Sequence, residues 1–473
     1  MLGRFSRNIA ILFALAGTVS IIQSSALGQQ PPPPGQGGNN NNNQNVGGIE
    51  IDAEGVLTQR AIVGNSGLLN QQRAQAAQAT LNKDLQTPNS LRKISLTRLE
   101  REVKKLVDSG KPVPDNMLYL AGLTRITHVF YYPESKDIVI AGPAEGYFVS
   151  AENHVIGTQT GRSTLQLQDL VVALRAFAPS GDKTRVISCS IDPTQDGLLR
   201  MKDAVAYVSE QFRPGDEAAV LNLFREALGM QQITIQGVSP KTHFARVLVE
   251  ADYHMKLIGI GLEQPAVPIT SFIEKATPTS VAKNSLQRWF FQPNYDCVTM
   301  TEDQSAIQFT GSGVKLVGED ERVSKAGQRT VTKGLNGASK AYCSSFTRMY
   351  DKLAEISPLW GELRNLVDLS IAAAFIQKAD LFAKAEWSME VFGDEAKFPV
   401  EIFHAPSQVA PVANAVWKGQ YLMTPIAGGV NIQPRVALNS DLVKQDIDGK
   451  IASVKDETEG KLQGLADGQW WWD

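Results

Sequence analysis

Residues 232–262, QITIQGVSPKTHFARVLVEADYHMKLIGIGL, begin as a strand and continue as a helix. From Gln232 to Gly237 apolar and polar residues alternate with the period of two that a half-buried strand requires. Gly237 and Pro240 then break the pattern. From Lys241 to Met255 the apolar spacing becomes three and four, with Phe244, Val247, Leu248, Ala251 and Met255 on one strip, and the run stays apolar through Leu257–Leu262. A strand followed by a helix long enough to cover it is the unit of a sheet-and-helix layer.

The same alternation extends upstream. Thr124–Tyr132 and Asp137–Ala141 read as a hairpin around Pro133-Glu134-Ser135-Lys136, and Tyr147–Ser150 with His154–Gly157 as a second one. A helix with the stripe Leu167, Leu170, Val171, Leu174 follows, and Ser163 and Gln166 have the spacing of a capping box. Next come a strand over Arg185–Ile191, a helix carrying Leu198, Met201, Val205, Val208 and Phe212, and a helix ending at Gly229, where a left-handed cap is expected. Residues 66–110 read as helical, with Leu96, Leu99, Val103, Leu106 and Val107 as the clearest stripe. Downstream, short strands are expected at Arg288–Gln292, Val298–Thr301, Ala306–Phe309 and Val314–Val317. A helical pair over 336–356 and 358–379 follows, with Ser357 as N-cap and Pro358 in the first turn. The second helix of the pair is apolar nearly all round and so belongs in the centre of its layer. The expectation is an α+β fold: a mixed or antiparallel sheet with helices on one face, then a β-hairpin region and a helical-pair C-terminal part.

The N-terminus reads as an address. Arg4 and Arg7 precede an uncharged apolar run from Ile9 to Ile22, and small residues around Ala26 and Gly28 offer a cleavage site. The run is shorter than the ~20 residues that a membrane span needs, so residues 1–28 are expected to be a cleaved signal peptide. The Pro31–Pro34 run and the Asn39–Asn43 run make residues 29–47 a disordered leader. The remaining chain divides into an N-terminal strand and helical segment (48–114), an α+β domain (115–264), a second mixed domain with a central helix pair (265–436) and a C-terminal helix with a Trp tail (437–473). The protein is expected to be secreted or periplasmic, with no transmembrane segment after cleavage.

Composition narrows the function. The 473 residues carry a net charge of −3 and 20% charged side chains, which excludes the concentrated basic face that nucleic-acid binding needs. Complete signatures for serine hydrolases, zinc proteases, phosphate loops and dinucleotide binding are absent; Gly259-Ile260-Gly261 lacks the third glycine. No cofactor is implied. Cys189 shares a strand face with Ile187 and Ile191 and reads as a small buried hydrophobe. Export would permit Cys297 and Cys343 to bridge, and the sequence leaves a disulfide and two free thiols as equal alternatives. His128 lies between apolar neighbours and reads as a core histidine. On the helix after Lys241, His243, Arg246, Glu250 and His254 fall on one strip. Glu250 and His254, one turn apart, have the spacing of two metal ligands or of an acid–base pair. The bland reading of that strip is a solvated face with an Arg246–Glu250 pair. Trp470–Trp472 either docks on the chain's own fold or meets a partner.

The stretch Gly237–Glu263, the segment Gly47–Leu57 and the block Tyr350–Ser370 together resemble a family of exported planctomycete proteins of unknown function, in which a low-complexity leader likewise precedes the first matching segment. The resemblance implies export and assigns no catalytic residue. The sequence thus supports a secreted or envelope protein that binds or scaffolds, with a suspected envelope or cell-surface partner. The alternative is an exported hydrolase with its site around His243, Glu250 and His254.

Overall fold

The strand and helix of residues 232–262 appear as Gln231–Gln236 and His243–Gly259. The computed structural model describes residues 13–15, 46–61, 66–211, 216–277, 285–323, 329–331, 336–414, 416–417, 421–422 and 426–473. The expected signal peptide and leader fall outside these, apart from residues 46–47 and Phe13–Leu15, a short strand paired with Pro411–Ala413.

The fold is α+β, with mixed sheets. Nine strands form one sheet, in the order Arg329–Val331, Val314–Val323, Ser285–Pro293, Ile426–Ile432, Ile187–Asp192, Gln231–Gln236, Gln408–Val409, Val56–Ala61 and Val46–Ile51. Two of its pairings are parallel, Gln287–Phe291 with Ile426–Val430 and Val56–Leu57 with Gln408–Val409; the others are antiparallel. Helices His243–Gly259 and Gly337–Ile356 pack on this sheet, and helix Pro358–Lys378 packs against both of them and against Leu167–Ala176. Gly259 makes the close approach at the sheet possible. A Cβ there would lie 2.3 Å from the Trp289 ring, so only glycine lets the helix end seat against that indole. Trp289 donates to Ser339 Oγ at 3.1 Å and stacks edge-on against Tyr342, which ties the strand to helix Gly337–Ile356.

Seven strands form the second sheet, in the order Lys444–Gln445, Val298–Met300, Ala306–Phe309, His128–Tyr132, Asp137–Ala144, Asn89–Ser95 and Trp471–Trp472. Both faces of its centre are buried. Val129, Ile138 and Ile140 point into the main core, whereas Phe130, Tyr132 and Val139 point into a smaller core beneath helix Lys450–Leu462. A strand that is apolar on both faces is what such double coverage requires.

Several local expectations are corrected. Asn89–Ser95 is a strand inside the region read as helical, held by Asp137–Ala144 on one side and the tryptophan tail on the other. Gln166, not Ser163, is the N-cap of helix Leu167–Ala176 and its side chain makes no cap bond; Ser163 instead bridges to Ile156 and accepts from Asn365 Nδ2. The polar helix of the tail is confined to Lys450–Leu462.

The tail docks on the fold. Trp470 O accepts from Ser95 N at 2.9 Å, and Trp470 and Trp472 are buried. Arg92, itself fully buried, donates from Nε and Nη2 to the two side-chain oxygens of Asp473 at 2.7 and 2.9 Å, and its guanidinium lies 4.6 Å from the Trp471 ring centre. Among the described residues no helix is long and apolar enough to cross a membrane.

Candidate functional site

Helix His243–Gly259 starts at Thr242, whose hydroxyl accepts from the Ala245 N–H. Because sheet lies on one side of it and two helices on the other, nearly all of its residues are buried, the polar ones included. On the sheet side Lys256 Nζ is 2.8 Å from Asp252 Oδ2 and donates to Ile191 O at 3.0 Å, while Ile191 N donates to the same Asp252 oxygen at 3.1 Å. Both side chains are fully buried. Burial pushes the Asp252 carboxyl up to about 6, against the opposing pull of Lys256.

The strip His243, Arg246, Glu250 and His254 lies on the same buried helix. This overturns the solvated-face reading: three of the four are deeply buried or nearly so, with His243 and His254 turning to different carboxylates and Arg246 and Glu250 turning to strand Val46–Ile51. His243 Nδ1 stands 3.0 Å from both carboxylate oxygens of Asp169 on helix Leu167–Ala176. His254 Nδ1 stands 2.5 Å from Glu263 Oε2, just beyond the helix end. Arg246 donates to Ile49 O, and among the described residues no Arg246–Glu250 ion pair is present. Glu250 lies under Gly48, where a Cβ would come within 2.9 Å of its Oε1. Gly48 also has φ +82°, so both the backbone and the space favour glycine there.

Sequence reasoning missed the partners. His154, in the turn of the second hairpin, places Nδ1 2.9 Å from Glu362 Oε1 on helix Pro358–Lys378. Burial alone would lower the His154 pKa, but the Glu362 carboxylate and its hydrogen bond, with Glu250 and Glu152 nearby, raise it to about 9. His243 and His254 are likewise raised by Asp169 and Glu263 against the cost of burial. Glu362 is lowered: burial opposes this, but His154, His243 and Arg246 outweigh it. One signal for Glu362 was available in the sequence. A carboxylate inside a helix that is apolar all round must find a cation, because an unpaired buried charge is too costly.

The structure therefore gives His243 and His254 carboxylate partners of their own, Asp169 and Glu263, sets Glu250 beneath Gly48, and brings the His154–Glu362 pair close enough that Glu250 acts on His154 and His254. At neutral pH such a set holds fixed charge and orients the elements it bridges. Among the described residues no group of three or more His, Cys, Asp and Glu side chains is arranged to hold a metal ion. Cys297 and Cys343 are both buried and are not bridged to each other; Cys297 precedes a strand of the seven-stranded sheet, and Cys343 lies on a helix packed against the other sheet. Cys189 is buried as expected, and His128 is buried against Phe130, its pKa lowered by burial to about 4.

Next to the start of the helix lies an open cleft of about 640 Å³. Gln236, Ser239 and Thr242 line it from the strand–helix turn, Thr184 and Arg185 from the turn that precedes strand Ile187–Asp192, and Glu401 also lines it. Polar groups thus converge in a concave opening where a strand ends and a helix begins.

Residues 189–272 match the model of a family described as a protein of unknown function, DUF1598. The matched span holds strand Gln231–Gln236, helix His243–Gly259 and the rim of the cleft formed by Gln236, Ser239 and Thr242. Comparison with curated proteins and with solved structures finds no match.

Proposed function

We propose that this chain is an exported envelope protein that binds or scaffolds, resembling exported planctomycete proteins, with the leader as its tether and the folded body as its working part. The observation that carries the non-catalytic reading is the engagement of His243, His154 and His254 by their own carboxylates. General acid–base catalysis needs a group that titrates near the working pH, and against the cost of burial the paired carboxylates raise His154 to about 9 and also raise His243 and His254. The cleft beside Thr242 supports recognition of a polar ligand or a partner loop. The alternative, an exported hydrolase, is favoured by one feature: the Asp169–His243 pair has the geometry by which a carboxylate orients an imidazole, and it sits next to that cleft.

The test is a pull-down from an envelope fraction with the full chain as bait, in wild type and in Arg185→Glu with Ser239→Trp, which reshape the cleft. A partner retained by wild type and lost by the variant is the expected result. Retention of no partner, together with hydrolysis of an ester or peptide substrate panel that His243→Gln abolishes, would overturn it in favour of the hydrolase. N-terminal sequencing of the protein from its host should begin near Gln29; Met1 retained on cytosolic protein would sink the export reading.

A further inference from the structure

Helix Pro358–Lys378 carries a second polar group on the side away from Glu362. Arg364 and Asp368 lie roughly 200° and 240° around the helix from it, at ~100° per residue. They meet Arg125, which precedes strand His128–Tyr132, and Gly313 of the turn before strand Val314–Val323. Arg125 Nε donates to Asp368 Oδ2 at 3.1 Å, and Arg364 Nη1 donates to Asp351 Oδ1 at 3.1 Å. Three further atoms of this group are buried and have no hydrogen-bond partner among the described residues: Arg125 Nη2, Arg364 Nε and Asp368 Oδ1. They gather at the place that glycine leaves open. A Cβ on Gly313 would lie 3.2 Å from Asp368 Oδ1, 3.3 Å from Arg125 Nη2 and 3.5 Å from Arg364 Cγ. Two residues earlier Gly311 is exposed, so the turn reaches the surface.

The charges here do not balance. Arg364 and Asp368 are buried and Arg125 is nearly so, whereas Asp351 is more than half exposed and screened by water. Two guanidiniums thus face one buried carboxylate. Burial and the like charge of Arg125 hold Arg364 below the usual arginine range. Burial raises the Asp368 carboxyl, against the pull of Arg125 and Arg364.

Buried polar atoms without partners mark a place for a guest. Two N–H donors and one carboxylate oxygen ask for a guest that accepts twice and donates once. Chloride and sulfate only accept. Water does both but brings no charge. A small oxyanion that keeps a proton, such as hydrogen phosphate or hydrogen carbonate, accepts through its oxygens, donates through its hydroxyl and offsets the excess positive charge.

We propose that Arg125, Arg364 and Asp368 form a binding site for a small protonated oxyanion beside Gly313, the guanidiniums donating to its oxygens and the Asp368 carboxylate accepting from its hydroxyl. The site shares no residue with the cleft beside Thr242, and its failure would leave the binding role proposed above intact.

The test is a calorimetric titration of the full chain with inorganic phosphate, hydrogen carbonate, sulfate and chloride in turn. Saturable binding of one equivalent of phosphate or hydrogen carbonate is expected. Sulfate and chloride should bind about tenfold more weakly or worse, because a carboxylate acceptor rejects an anion with no proton to give. Gly313→Ala places a methyl within 3.3 Å of Arg125 Nη2 and Asp368 Oδ1, and Arg364→Lys keeps the charge beside Asp351 but removes the Nε–H. Each should weaken phosphate binding by about tenfold while circular dichroism stays unchanged. Asp368→Asn, which can turn an N–H toward the guest, should admit sulfate. The wild-type comparison of phosphate with sulfate decides the matter where a variant fails to fold. No saturable binding of either protonated oxyanion, sulfate bound as tightly as phosphate, or unchanged phosphate affinity in folded Gly313→Ala would each overturn the proposal.

Discussion

Helices His243–Gly259 and Pro358–Lys378 are both buried on nearly every side, yet their sequences read in opposite ways. The second, apolar all round, announces its central position. The first looks amphipathic, with a charged strip that suggests water. The difference lies in where the answering groups come from. In Pro358–Lys378, Asp368 meets Arg125 Nε at 3.1 Å, Arg364 meets Asp351 at 3.1 Å and Glu362 meets His154. In His243–Gly259, Asp169, Glu263 and the carbonyl of Ile49 answer the strip, and Lys256 answers Asp252. A charged strip marks a solvent face only if nothing else in the chain arrives to match it; here helix Leu167–Ala176, the segment just past the helix end and strand Val46–Ile51 all do.

The largest effect expected from breaking this arrangement is at Lys256. Lys256→Met leaves Asp252 buried and uncompensated, and should cost about 3–5 kcal/mol in urea unfolding. Asp252→Asn added to it should recover part of the loss, since burial already pushes that carboxyl toward its neutral form. Equal loss in the single and double variants would show that the pair does not carry the cost.

The His154–Glu362 pair gives a pH signature. A histidine raised in the folded state contributes stability that is complete below its unfolded value, ~6.5, and is lost as pH rises through about 9. The pair should therefore lose on the order of 3 kcal/mol of stabilisation between pH 6.5 and pH 10, and Glu362→Gln should flatten that fall. A parallel pH profile in the two proteins would assign the loss elsewhere.

The two helix starts sharpen the comparison at smaller scale. Thr242→Ala removes a hydroxyl that accepts from Ala245 N and should cost about 1 kcal/mol. Ser357 occupies the equivalent place before Pro358 but its side chain makes no cap bond, so Ser357→Ala should change the midpoint by less than about 0.5 kcal/mol. A larger loss at Ser357 than at Thr242 would invert the reading of both caps.

The legible parts of the fold were those set by local period. Strand Gln231–Gln236, helix Gln195–Gln211 and helix Gly337–Ile356 lie within a few residues of their expected bounds. Illegible were the pairings that bring distant segments together. Nothing in Asn89–Ser95 itself reveals that Asp137–Ala144 and Trp471–Trp472 will flank it and draw it out of a helical region. The site divides the same way. His243, Glu250 and His254 were visible as a strip because their spacing is helical, whereas Asp169 and Glu362 belong to other helices and carry no local mark of the histidine they will meet. Glu362 came nearest to being readable, as one of two carboxylates, with Asp368, in a largely apolar helix.

The clasp of Arg92 on Asp473 also bears on assembly. One border of the seven-stranded sheet is laid down near residue 90 and its outermost strand lies beyond residue 470. The strand that covers this border comes from a segment far along the chain, so the outer backbone groups of Asn89–Ser95 stay unmatched until that distant pairing forms. Closure of the sheet thereby depends on a contact of very large sequence separation, and it protects an edge that would otherwise pair with strangers.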